Sequence, residues 1–207
     1  MLATFLLALP AVLFIVDPIG LVPMFVGMTG GDSPDKCRRM ALKATITAGL
    51  VLIFFALFGT VVFQVFGVTL AAFRVAGGLL LMLTALDMLR AQSPATKTSA
   101  AEVREGEARE DIAVVPLAMP LIAGPGAIAT VMVLMARYGA GLQAAVPVIS
   151  AILITMVVTY LCLASAQRVK RVLRDTGIAV LERIFGLILA AIAVQFVFDG
   201  GRELLQG

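Results

Sequence analysis

The chain of 207 residues reads as an all-α, polytopic membrane protein: six transmembrane helices in two inverted three-helix repeats, with helices 1 and 4 broken. Three observations predict this. The composition is 61% hydrophobic and 14% charged, whereas soluble domains carry roughly 25% charge. Six apolar runs are each long enough to cross a bilayer. Two of these runs are interrupted near their middles by proline and glycine, and Pro18 and Pro125 in the two breaks are 107 residues apart.

Span one covers residues 2–28 and carries Asp17-Pro18-Ile19-Gly20-Leu21-Val22-Pro23. It lacks a basic region before its apolar stretch, so it reads as a retained span rather than a cleaved signal peptide. A loop over 29–43 follows, with Gly30, Gly31 and Pro34 as breakers and Lys36, Arg38, Arg39 and Lys43 as charges. Span two covers 44–66, a turn sits at Gly67, and span three covers 70–89. Residues 1–89 form the first repeat. The long polar segment 90–111 is a linker, expected to be flexible or weakly helical. Residues 112–207 form the second repeat. Its span four, 112–136, is broken at Pro120-Leu121-Ile122-Ala123-Gly124-Pro125-Gly126-Ala127. Span five covers 142–166, the basic loop 167–177 follows, and span six covers 178–198.

The halves echo each other again at Arg74-Val75-Ala76-Gly77-Gly78 and Arg183-Ile184-Phe185-Gly186-Leu187, an offset of 109 residues. Three spans per half is an odd number, so the second half enters the membrane from the opposite face. Loops one–two, three–four and five–six hold twelve Lys and Arg, and the other side holds Arg74, Arg137 and Arg202. Positive-inside reasoning puts the linker in the cytoplasm and both termini outside, in a multi-pass protein of the cell inner membrane.

A proline inside a span frees carbonyls that hydrocarbon cannot satisfy. Paired breaks in the two halves are therefore the sequence pointer to a carrier's midplane site. Asp before Pro, and Gly before Pro, read as helix starts. Half-helices would begin at Pro18 and Pro125, presenting unpaired amides to an anion and leaving carbonyls for a cation. A second proline at Pro23 would kink the first of these. The candidate substrate contacts are Asp17, Pro18, Gly20, Pro23, Ala123, Gly124, Pro125, Gly126 and Ala127. Asp17 is also the candidate for proton or sodium coupling, because ionisable residues within spans are costly and functional by default; capping alone explains it equally well. Arg74 and Arg183 are candidate gates, with snorkelling to the interface as the commoner role. Thr84, Thr130, Thr155, Thr159 and Gln195 either line a path or bond between helices. Gly77 and Gly78 suit close helix packing, and Asp87 suits an ion pair with Arg90 one turn on.

The chain has no histidine and two cysteines, Cys37 and Cys162. A histidine relay, a Ser-His or Cys-His pair and most zinc chemistry are thereby excluded, and the two cysteines suggest neither a disulfide framework nor a metal site. The glycines at 124 and 126 lack a Walker lysine, so ATP-driven transport by this chain is not expected. The net charge of +3 comes from loop residues and gives no nucleic-acid signal. No cofactor or metal is expected, and no enzyme activity. A catalytic reading would rest on Asp17 alone, and such sites need a second group.

Asp17-Pro-Ile-Gly-Leu-Val-Pro-Met-Phe25 and Pro116-Leu-Ala-Met-Pro-Leu-Ile-Ala-Gly-Pro-Gly-Ala-Ile128 resemble signatures of the MarC family of membrane proteins, as do the Arg74 and Gly186–Gln195 segments. The resemblance covers essentially the whole chain. It implies six spans in the inner membrane and, for some members, transport of small neutral amino acids such as glycine and alanine. A link to LysE-type exporters makes export as reasonable as uptake. The expected partners are a small-molecule substrate and membrane lipid, with a homo-oligomer left open by the small residues of spans three and six. The alternatives are an accessory or regulatory membrane protein docking through the linker, or an exporter of another small solute.

Overall fold

The computed structural model describes residues 1–29, 32–90, 113–138 and 142–206. All regular elements among them are helices: α1 (Leu2–Val16), α2 (Leu21–Met28), α3 (Pro34–Phe66), α4 (Leu70–Leu89), α5 (Ala113–Ile122), α6 (Pro125–Tyr138), α7 (Leu142–Ala164) and α8 (Ala166–Gln206). Five helical stretches among the described residues are long and apolar enough to cross a membrane. The α5–α6 pair, bent by 55°, makes a sixth if it counts as one span. Large apolar side chains such as Leu50, Phe54, Leu79, Leu187 and Phe198 face outward. A soluble monomer rarely shows so much contiguous apolar surface. The 90–111 linker lies outside the described residues except for Arg90.

Local sequence explains the boundaries and corrects two of them. The loop expected over 29–43 ends early, because α3 already starts at Pro34. Proline suits the first helical position, and the Ser33 hydroxyl accepts the Lys36 amide at 3.3 Å. Lys36, Arg38, Arg39 and Lys43 are therefore helical. The basic loop expected over 167–177 is also helical up to a break at Arg174, where φ is 54° and ψ is 173°. The apolar span that follows, Thr176–Leu205, is longer than expected. Span three starts and stops where the sequence placed it. Gly67 turns the chain at φ 66°, and Thr69 caps α4 by accepting the Ala72 amide at 3.2 Å. In α5, Val115 and Met119 leave helical geometry. Each precedes a proline, whose ring disfavours the α conformation at the preceding residue.

Helix α1 buries one face, with Ala8, Val12 and Val16 at 0% exposure, against α6, α7 and α8. α3 packs on α7, and α4 lies along α8. Lipid is as apolar as leucine, so close backbone approach has to supply this association. A Cβ on Gly78 would stand 2.9 Å from the Ala193 carbonyl oxygen, and one on Gly186 would stand 3.0 Å from that of Ala85. Gly200 meets the Ala71 carbonyl at 2.7 Å in the same way. We therefore expect Gly186→Val to destabilise the protein by about 1–3 kcal/mol through overpacking, read as earlier unfolding in detergent. Gly201→Val is the control, since a Cβ there meets nothing within 4 Å. Equal effects in the two variants would mean the seam is not tight.

Candidate functional site at two helix breaks

The first break is the turn 17–20 between α1 and α2. Asp17 ends α1 in the left-handed region (φ 53°, ψ 66°) with its amide on the Leu13 carbonyl. Asp is among the few residues that adopt this conformation readily. Its Oδ1 accepts the Gly20 amide at 3.1 Å, and the residue is 3% exposed. The half-helix expected to start at Pro18 starts three residues later, at Leu21, with Gly20 as its cap. This shift removes the kink expected from Pro23. Pro23 becomes the third residue of α2, inside the first turn, where its missing amide costs nothing. Pro18 is buried, and Gly20 and Pro23 are half-buried.

Gly20 has an ordinary helical conformation (φ −65°, ψ −22°), so space rather than backbone freedom requires glycine. An added Cβ would stand 2.0 Å from Asp17 Oδ2 and 3.1 Å from Glu182 Oε1. The two carboxylate oxygens are therefore no farther apart than the sum of those distances. They come from opposite halves of the chain, Asp17 at the α1–α2 break and Glu182 on α8. Two such charges repel unless a proton or cation is shared or a positive group lies between them. Beside them, Phe14 of α1 stacks on Phe185 of α8 with ring centroids 5.0 Å apart. Thr155, Thr159 and Cys162 recur at helical spacing on one face of α7.

The second break is Ala123–Gly124, between α5 and α6. Ala123 donates its amide to the Ala118 carbonyl at 2.9 Å, and Ile128 donates to Gly124 at 3.0 Å. Gly124 admits no side chain, since a Cβ would stand 2.6 Å from the Pro120 carbonyl oxygen. Ala123, Gly124 and Ala127 are buried, while Pro125 is exposed. The two breaks approach each other through Ile15, two residues before Asp17. Its Cδ1 would lie 3.1 Å from a Cβ on Gly126. The cavity left there, lined by Ile15, Thr84 and residues 121, 122 and 124–127 among others, holds about 20 Å³. That is room for about one water.

Arg74 pairs with Glu203 near the far end of α8, away from both breaks. Arg183 is exposed, next to Glu182 in sequence. The hydroxyls of Thr84, Thr130 and Thr159 bond back to carbonyls of their own helices. Serine and threonine do this readily within helices. Thr155 Oγ1 is buried without a partner among the described residues. Gln195 faces outward. No cluster of three or more acidic or sulfur ligands suited to a metal occurs among the described residues.

Sequence reasoning missed Glu182. The signal was the one that singled out Asp17, an ionisable residue inside an apolar run.

A family model described as "MarC family integral membrane protein" matches residues 2–205. The chain is 42% identical to a UPF0056 membrane protein of Methanocaldococcus jannaschii, over 97% of each chain. It is 39% identical to a UPF0056 membrane protein of Aquifex aeolicus, over 98% of this chain and 94% of that one. It is also 32% identical to the UPF0056 membrane protein YhcE of Escherichia coli, over 93% and 89%. No solved structure matches the chain.

Proposed function

The chain belongs to the MarC family of integral membrane proteins, and from that premise we propose that it is a secondary transporter. Its substrate is a small neutral amino acid such as alanine or glycine, and the direction is uptake or export. The observation that carries this reading is the meeting of two interrupted helices, through Ile15 and Gly126, with the buried carboxylate of Asp17 and the half-buried one of Glu182 at one of them. Non-helical backbone at membrane depth is tolerated where it faces protein or a wet cavity, and carriers use such places to hold solute.

The helix pairing supports two inverted halves. The first, second and third spans of one half meet their counterparts in the other, as α1 with α6, α3 with α7 and α4 with α8. Positive-inside reasoning puts both termini outside the inner membrane and the basic ends of α3 and α8 in the cytoplasm. The 20 Å³ at the second break is too small for an amino acid, so this conformation is a closed one. Alternating access opens it by rocking one half against the other. Asp17 and Glu182 are the coupling residues, holding a shared proton or a sodium ion between them.

The test is flux of labelled alanine and glycine into proteoliposomes under an imposed proton or sodium gradient. Saturable flux that disappears in Pro125→Ala is the expected result. Pro125 starts α6, and alanine would let the helix continue across the break. Absence of flux with folded protein, together with co-purification of a stable partner, would favour an accessory membrane subunit instead.

A further inference from the structure

A second cavity lies at the end of the bundle that carries the α2–α3 loop and the α7–α8 turn. It encloses about 320 Å³, within the size range of small-molecule sites. Both halves of the chain line it. Phe25, Thr29, Cys37 and Arg38 come from the first half, and Leu163 and Arg168 from the second. Phe25 and Leu163, each 1% exposed, are its most buried lining residues. Phe25 stands one turn along α2 from Leu21. Along α2 the cavity thus begins one turn beyond Leu21, the first helical residue after the break.

Its charge is one-sided. Asp32 lines the cavity but is paired with Lys36 at 2.7 Å. Among the described residues no acidic partner is recorded for Arg38 or Arg168. Two exposed arginines from opposite halves therefore line one cavity of ligand size, and guanidinium is the side chain best matched to a carboxylate. We infer that this cavity is a vestibular binding site for a small carboxylate-bearing solute, contacted by Arg38 and Arg168. Solute waits there on the cytoplasmic side before Phe25 and Leu163 separate. This inference rests on the transporter reading for the identity of the solute, but its test does not depend on flux.

Cys37 is a built-in reporter, because it lines the cavity. In a Cys162→Ser background it is the sole thiol. Its modification by a sulfonate-bearing methanethiosulfonate reagent is compared with that by a trimethylammonium-bearing one, each scaled to a free thiol. A positive cavity should favour the sulfonate by about tenfold, and Arg38→Gln with Arg168→Gln should bring the ratio near one. Alanine or glycine should slow the reaction by about tenfold when present at ten times its Kd. A ratio near one in the parent protein would overturn the inference. So would unchanged modification with alanine or glycine while flux is normal, which leaves the transporter reading standing. Protection by phosphatidylglycerol micelles instead of amino acid would make this a lipid phosphate site and overturn the solute assignment. Protection by amino acid without flux would uphold the site and sink the transporter reading.

Discussion

Gly20→Ala is expected to abolish flux and to destabilise the protein, although it adds a single methyl group. The Cβ would stand 2.0 Å from Asp17 Oδ2 and 2.8 Å from its Cγ. No rotamer of alanine avoids this, because the Cβ position is fixed by the backbone. The Asp17 carboxylate has to move, and it is held by the Gly20 amide and buried at 3% exposure. Overpacking of this kind costs about 1–3 kcal/mol of stability. The loss of a charge-assisted hydrogen bond to a misplaced carboxylate costs about 1.5–3 kcal/mol, or roughly 10- to 150-fold in affinity for whatever the carboxylate holds. Flux in proteoliposomes and thermal unfolding in detergent measure the two effects. Gly27→Ala is the matched control, since a Cβ there meets nothing within 4 Å. Normal flux in Gly20→Ala would mean that the Asp17 carboxylate has no part in transport.

Asp17→Asn separates the structural role of this residue from the coupling role. Asparagine keeps the oxygen that accepts the Gly20 amide, tolerates the left-handed conformation and removes the charge. The turn alone therefore predicts little change in stability, because Asn can keep both the side-chain bond to the Gly20 amide and the left-handed conformation. Coupling predicts that uphill accumulation disappears while downhill exchange of alanine persists. Glu182→Gln should have the same effect, because the two carboxylates meet at one point beside Gly20. If they act as one unit, the double variant will lose no more than either single variant. Full accumulation in Asp17→Asn would reduce Asp17 to a turn residue. Loss in Asp17→Asn but not in Glu182→Gln would remove Glu182 from the coupling site.

The two helix breaks were legible in the chain because the cues are local. Proline and glycine cluster at 17–20 and 120–126, where the helices break, whereas the isolated Pro10 and Pro147 stay inside α1 and α7; Asp17 is costly in a span on any packing. The start of α2 was not legible. The capping rules allow both a helix beginning at Pro18 and a turn in which Asp17 ends α1, and only the latter keeps Pro23 in the first turn. The basic residues of α3 and α8 were assigned to loops because charge marks the end of a span, not the end of a helix.

The sequence by itself determined that the chain crosses the membrane several times, where two of its helices are interrupted, and which family it belongs to. The first two follow from the solvation of single residues and short segments, and the third from motifs written in the sequence itself. Only the tertiary structure decided that Glu182 meets Asp17, that Ile15 rests against Gly126, and that Arg38 and Arg168 share a cavity. Each of these depends on how helices distant in the chain are rotated against one another. In lipid that rotation is set by the close fit of small residues such as Gly78 and Gly186, not by an apolar stripe that the sequence would display.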